Sequence, residues 1–264
     1  IPGLTRAAYL RELFGDIDGA LDLMEMAYQS TPPNESEDRA WIITQMAHLK
    51  LATGKTIQAE NLLQQALAMF PGYHYALGNL AKVRIQQERY ADAVELLKQR
   101  YEAAPHAENL YELAEALQLA GRTQEAEKAF AEFEKKSIIE SYRADNSNRE
   151  LIFYYADHAN KPAKALEVAE REFARRHDVY TLDAYGWALH LNGRSEEARK
   201  QIETALAVGV RDAKLFRHAG EIALKCGDRA MAQHYLQESA ELNTADAELS
   251  RTMLARIAQP PMGQ

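Results

Sequence analysis

The sequence predicts an all-α fold, a solenoid of antiparallel helix hairpins closed by a C-terminal capping helix, and three observations lead there. The composition is helical: 264 residues, 47% of them hydrophobic, with only 13 Gly and 8 Pro. The stretch from Ala40 to Pro71 reads as one hairpin. Its small residues Ala47, Ala59 and Ala66 sit where two helices would touch, Ile43, Met46 and Leu63 fill the space around them, and Gly54 falls where a left-handed helix stop costs least. The third observation is recurrence. One hairpin cannot bury both its faces, so a pattern repeated along the chain demands a stack.

In chain order, the first unit carries Ala8, Gly15, Ala20, Met24, Ala27 and Pro32, and the second is the hairpin just described. The third has Leu77, Leu80, Ala81, Tyr90, Ala93, Leu97 and Pro105; the fourth has Leu110, Leu113, Ala114, Leu117, Gly121, Ala126 and Phe130. A fifth, less regular unit carries Ile152, Phe153, Pro162, Ala165, Ala169 and Phe173 and has no turn glycine. The sixth returns to type with Leu182, Tyr185, Gly186, Leu189, Gly193, Ala198, Ile202 and Ala205, and the seventh with Phe216, Ala219, Gly220, Ala223, Gly227, Ala232 and Leu236. Units therefore lie near 1–34, 40–73, 74–106, 107–140, 146–178, 179–212 and 213–244, read as a single solenoid over 1–264. Ala245 to Ala258 reads as a lone helix covering the open end, stopped by Pro260 and Pro261.

Two steps in this register are long. Ser30 to Asp38 is polar, with Pro32, Pro33 and Asn34, and reads as a surface loop. Around Ser137 to Asn148 the preceding helix is extended, and Asp145, Asn146, Ser147 and Asn148 are candidate N-caps for the next one.

Gly or Ala at the eighth position of a unit with Ala at the twentieth, recurring along the seven units with Phe153 as the exception at the eighth position of the fifth, resembles the tetratricopeptide repeat family, from about Leu4 to Ser239. Arg11, Lys50, Arg84 and Ala156 depart from its pattern at the eleventh position, where an aromatic is expected. The resemblance implies a right-handed superhelix whose concave wall is lined by the first helix of each unit at positions two, five, nine and twelve. A period of 3.6 residues independently puts those positions on one stripe. Seven rings occupy these slots: Tyr9, Trp41, Tyr75, Tyr111, Tyr154, Tyr180 and Trp187. They make a candidate binding groove, completed by Thr44, His48, Lys82, Glu115, Asp157, Asp183, His190, Arg217 and Glu221. The charges on the slots run acidic, with Glu12, Glu108, Glu115, Glu150, Asp157, Asp183 and Glu221 against Lys82, Lys214 and Arg217. That count points to a peptide carrying basic and apolar residues.

Members of the family that clamp the C-terminal carboxylate of heat-shock chaperones carry Lys and Asn at positions five and nine. Here those slots hold Thr5 and Tyr9, Thr44 and His48, Gly78 and Lys82, Tyr111 and Glu115, so that clamp is absent.

The expected function is a non-catalytic scaffold for a peptide or protein partner. The alternatives are a substrate-selecting repeat module of a larger enzyme and a structural component of an envelope or secretion assembly. A net charge of −8 argues against nucleic acid as the partner. Apolar runs long enough to span a bilayer are missing from the sequence. Cys226 is the only cysteine, and the histidines form neither HxxxH nor HExxH, so no metal, cofactor or catalytic constellation is expected. The chain starts at Ile1 and reads as a portion of something longer, either cytoplasmic or exported after loss of an N-terminal segment.

Overall fold

A computed structural model describes residues 2–143, 146–242 and 245–258. The described residues are helices and short turns throughout, and the chain forms two compact units, residues 1–136 and 137–264. No described helix is long and apolar enough to cross a membrane.

The first unit stacks four hairpins: α1 (Pro2–Leu13) with α2 (Ile17–Ser30), α3 (Ser36–Ala52) with α4 (Thr56–Met69), α5 (His74–Gln86) with α6 (Tyr90–Ala103), and α7 (Ala107–Leu119) with α8 (Thr123–Glu140), whose last turn runs into the second unit. Small residues form the seams, as the pattern demands. Ala8, Ala20 and Ala27 meet between the first pair of helices and Ala47, Ala59 and Ala66 between the second, all without solvent exposure beyond a trace. Ile42 and Leu49 join the first hairpin to the second, while Ile43, Leu51 and Leu63 join the second to Tyr73, Leu80 and Val83 of the third. Each hairpin thus lends apolar surface to the next, which is why a single unit could not be stable alone.

In the second unit α9 (Arg149–Phe153) continues into a π-helical turn (Tyr154–His158) and pairs with α10 (Pro162–Phe173). The first helix of the fifth unit, the less regular one in sequence, therefore ends in a widened turn. Next come α11 (Val179–Leu191) with α12 (Ser195–Leu206), α13 (Ala213–Lys225) with α14 (Arg229–Glu241), and the capping helix α15 (Ala245–Ala258), which packs on α13 and α14. Gly186 and Gly220 have no room for a side chain: a Cβ would fall 2.9 Å from Ile202 Cγ1 and 2.6 Å from Leu236 Cγ.

The first long step is shorter than the loop expected over Ser30 to Asp38, because α2 runs to Ser30 and Ser36 to Asp38 already belong to α3. It is a tight surface turn in which the Arg39 guanidinium lies 3.8 Å from the centroid of the Tyr28 ring and donates to the Thr31 carbonyl at 2.8 Å. At the second, α8 simply runs on to Glu140. Asn148 occupies the N-cap position of α9, but its side chain does not cap; its amide donates instead to the buried Glu172 carboxylate at 2.8 Å. Asp145, Pro260 and Pro261 lie outside the described residues.

Gly15, Gly54, Gly121, Gly193 and Gly227 take positive φ between their helices, as predicted. The third and fifth units use Glu88 (φ 57°) and Asn160 (φ 50°) at that place. Asn tolerates the left-handed region; Glu pays for its Cβ there. Replacing Glu88 with Gly is expected to raise stability by up to ~1 kcal/mol, net of the extra freedom Gly has in the unfolded chain. A fall in melting temperature would mean that the Glu88 side chain contributes more than its backbone strain costs.

Candidate functional site

The slot positions lie on the first helices of the hairpins and, in the fifth, partly on the π-helical turn, and their residues separate by burial. In the first unit Tyr9 is 49% and Tyr75 43% exposed, while Trp41 and His48 are half-buried and Lys82 is exposed. Tyr75 leans on His74 with centroids 3.9 Å apart, so its ring is held out from the helix by a neighbour. His48 Nε2 lies 2.8 Å from Glu12, joining α3 to α1. Two predicted groove residues are not available to a ligand. Thr44 is fully buried, its hydroxyl donating to the Ala40 carbonyl at 2.7 Å. Tyr111 is 4% exposed, with its centroid 5.1 Å from that of Phe133 and 6.0 Å from that of Phe130, because the ring fills the space between α7 and α8. Glu115 is half-buried and already has a partner.

In the second unit the stripe becomes a buried polar and aromatic cluster. Trp187 is only 5% exposed, stacks on His218 at 4.2 Å and an interplanar angle of 11°, and donates from Nε1 to Asp157 on the π-helical turn at 2.8 Å. The widened turn thus supplies the acceptor that lets a tryptophan be buried at all. Asp183 and His218 are fully buried, Nδ1 of the imidazole 2.7 Å from Asp183 Oδ1. A guanidinium can only donate, so His218 Nε2 accepts from Arg217 at 3.1 Å and Nδ1 carries the hydrogen toward Asp183. Arg217 reaches Asp246 of the capping helix at 2.8 Å and Glu221 at 2.5 Å. One network therefore ties α11, α13 and α15 together.

Electrostatics follow from this burial. Desolvation pushes the Asp183 carboxyl up, but the hydrogen bond from His218 and the charges of Arg149 and Lys214 outweigh it and hold the group below the usual carboxylate range. Asp246 is held low in the same way, against its burial, by Lys214 and Arg217. His190, half-buried beside Trp187, is pushed down by desolvation and has Nδ1 3.0 Å from Ser195 Oγ. Tyr154 is buried against Tyr155, and Tyr180 is half-buried under the Arg149 guanidinium, 4.8 Å from the ring centroid.

The open aromatic wall expected from the sequence is thus corrected at Thr44, Tyr111, Tyr154, Asp183, Trp187 and Arg217, which face their own fold. The stripe rule also passes over Arg149, which stands one position from a slot, and His218, the neighbour of Arg217. Only their burial among opposite charges identifies them. Among the described residues no three His, Cys, Asp or Glu side chains converge to hold a metal ion.

Residues 50–107 and 79–138 match two family models, each described as a tetratricopeptide repeat. The fold is similar to that of a tetratricopeptide repeat protein from Parabacteroides merdae, with 17% identity, 98% of each chain covered and a TM-score of 0.53. It is also similar to the APC/C hetero-tetramer Cut9–Hcn1, at 14% identity and a TM-score of 0.53, over 92% of this chain and 48% of that one. No curated protein matches the sequence.

Proposed function

Because residues 50–138 match tetratricopeptide-repeat models and the fold is similar to that of a tetratricopeptide repeat protein, we propose that the chain works as a non-catalytic scaffold, holding a peptide or protein partner against the first helices of its hairpins. The observation that carries this reading is the exposure of Tyr9 and Tyr75 on a stripe whose other rings are mostly drawn into the core. An aromatic ring left in water at a helix face is contact area already ordered, which a partner can cover at small entropic cost. Lys82 and the half-buried Trp41 and His48 supply polar and apolar contacts on the same face. That a similar chain was solved as part of a Cut9–Hcn1 hetero-tetramer supports the reading.

The test is affinity capture from a lysate, comparing the wild type with a Tyr9→Ala/Tyr75→Ala variant. Exposed side chains can be removed with little effect on folding, so the melting temperature should hold while captured partners fall at least ~10-fold, the loss expected of two aromatic anchors. Capture that is unchanged by the double substitution would sink the assignment of this face.

A further inference from the structure

We propose that the second unit takes an acidic segment of the partner polypeptide across α9, α11 and α13, its carboxylates paired to Arg149 and Lys214. This rests on the scaffold reading above and reverses the sign of the ligand that a count of charges along the sequence suggests.

The argument turns on which charges are already engaged. Every acidic slot of this unit has a partner inside the fold: Asp157 accepts from Trp187, Asp183 from His218 and Glu221 from Arg217, and Glu150 is engaged as well. Off the stripe, Asp246 accepts from Arg217 and Asp212 from the backbone N–H of Leu215, capping α13. Each of these acids thus already has a donor of the fold beside it.

The cations are in the opposite state. Among the described residues neither Arg149 nor Lys214 has a carboxylate oxygen within 4.0 Å, although Arg217 has two such partners. Arg149 and Lys214 instead lie over one apolar ring, the guanidinium carbon 5.4 Å and the ammonium nitrogen 4.7 Å from the Phe153 centroid. Two like charges are thus held within about 10 Å of each other by a ring whose quadrupole compensates them only weakly. Arg149 Nε is out of solvent with no acceptor among the described residues, a donor that a ligand oxygen would satisfy. Asp183 and Asp212 hold Arg149 charged from a distance but are committed elsewhere. What this face has left to offer a partner is positive charge beside the half-buried ring of Tyr180, which suits carboxylates spaced along a chain.

The experiment uses three fluorescein-labelled dodecapeptides of one sequence, with Glu, Gln or Lys at alternate positions, titrated into the whole chain by anisotropy at low and high salt. The Glu peptide should bind at least ~10-fold tighter than the Gln peptide, and salt should shrink that gap. Lys214→Met should weaken the Glu peptide ~3- to 10-fold, Lys214→Arg should keep its affinity, and Lys214→Glu should turn the preference toward the Lys peptide. Arg149→Gln, checked for folding by circular dichroism, should act as Lys214→Met does. Equal binding of the Glu and Gln peptides would overturn the proposal, as would tighter binding of the Lys peptide or of single-stranded oligo-thymidylate. So would Glu-peptide affinity untouched by the Lys214 variants. If none of the peptides binds while Tyr9 and Tyr75 still govern partner capture, the acidic-segment inference falls and the scaffold reading stands.

Discussion

Trp187→Ala is expected to destabilise the second unit by ~3–5 kcal/mol, the usual cost of removing a buried large aromatic and leaving its cavity. The ring is 5% exposed, lies face to face with His218 and spends its only hydrogen-bond donor on Asp157. Trp187→Phe would keep most of the packing and lose the hydrogen bond, so a cost nearer ~1–2 kcal/mol is expected. Thermal and urea unfolding followed by circular dichroism measure both. A loss below ~1 kcal/mol for the alanine variant would show that the ring contributes little to packing and would return it to the set of groove residues.

Asp183→Ala should cost a similar ~3–5 kcal/mol, because it breaks a fully buried pair and leaves His218 without its acceptor. The same residue sets a pH dependence. Asp183 and Asp246 both titrate below the ordinary range in the folded chain, so their stabilisation is present in full above the unfolded carboxyl value, near pH ~4. It is lost as pH falls from there through the lower folded values. The melting temperature of the second unit is therefore expected to drop steeply below pH ~4, and Asp246→Asn to make the drop shallower. A wild-type melting temperature flat down to pH ~2 would mean that the network adds nothing to stability.

The fold was legible because it depends on spacing. Ala at the helix seams, Gly at position eight in the last two units and the five turn glycines are each demanded by a close approach or a left-handed backbone, and small residues announce such places plainly. The third unit hid its turn, because Glu88 takes the same conformation as a glycine and nothing in a glutamate signals it. The candidate site was legible as a stripe but not as a surface. Tyr75 and Trp187 obey the same position rule, yet one stands in water and the other closes a core.

From its sequence alone the chain was determined to be helical, to fold back at each turn and to repeat, since these follow from the period of its apolar residues and the placing of its small ones. Which rings and charges remain for a partner was decided only by the tertiary structure. A side chain's exposure and pairing depend on what other helices bring against it: Trp187 is buried because a π-helical turn some thirty residues earlier in the chain offers Asp157, and Asp183 is engaged because His218 of another helix reaches it. Local sequence carries no record of such distant neighbours, and so it counted acids where the folded molecule leaves two cations unpaired.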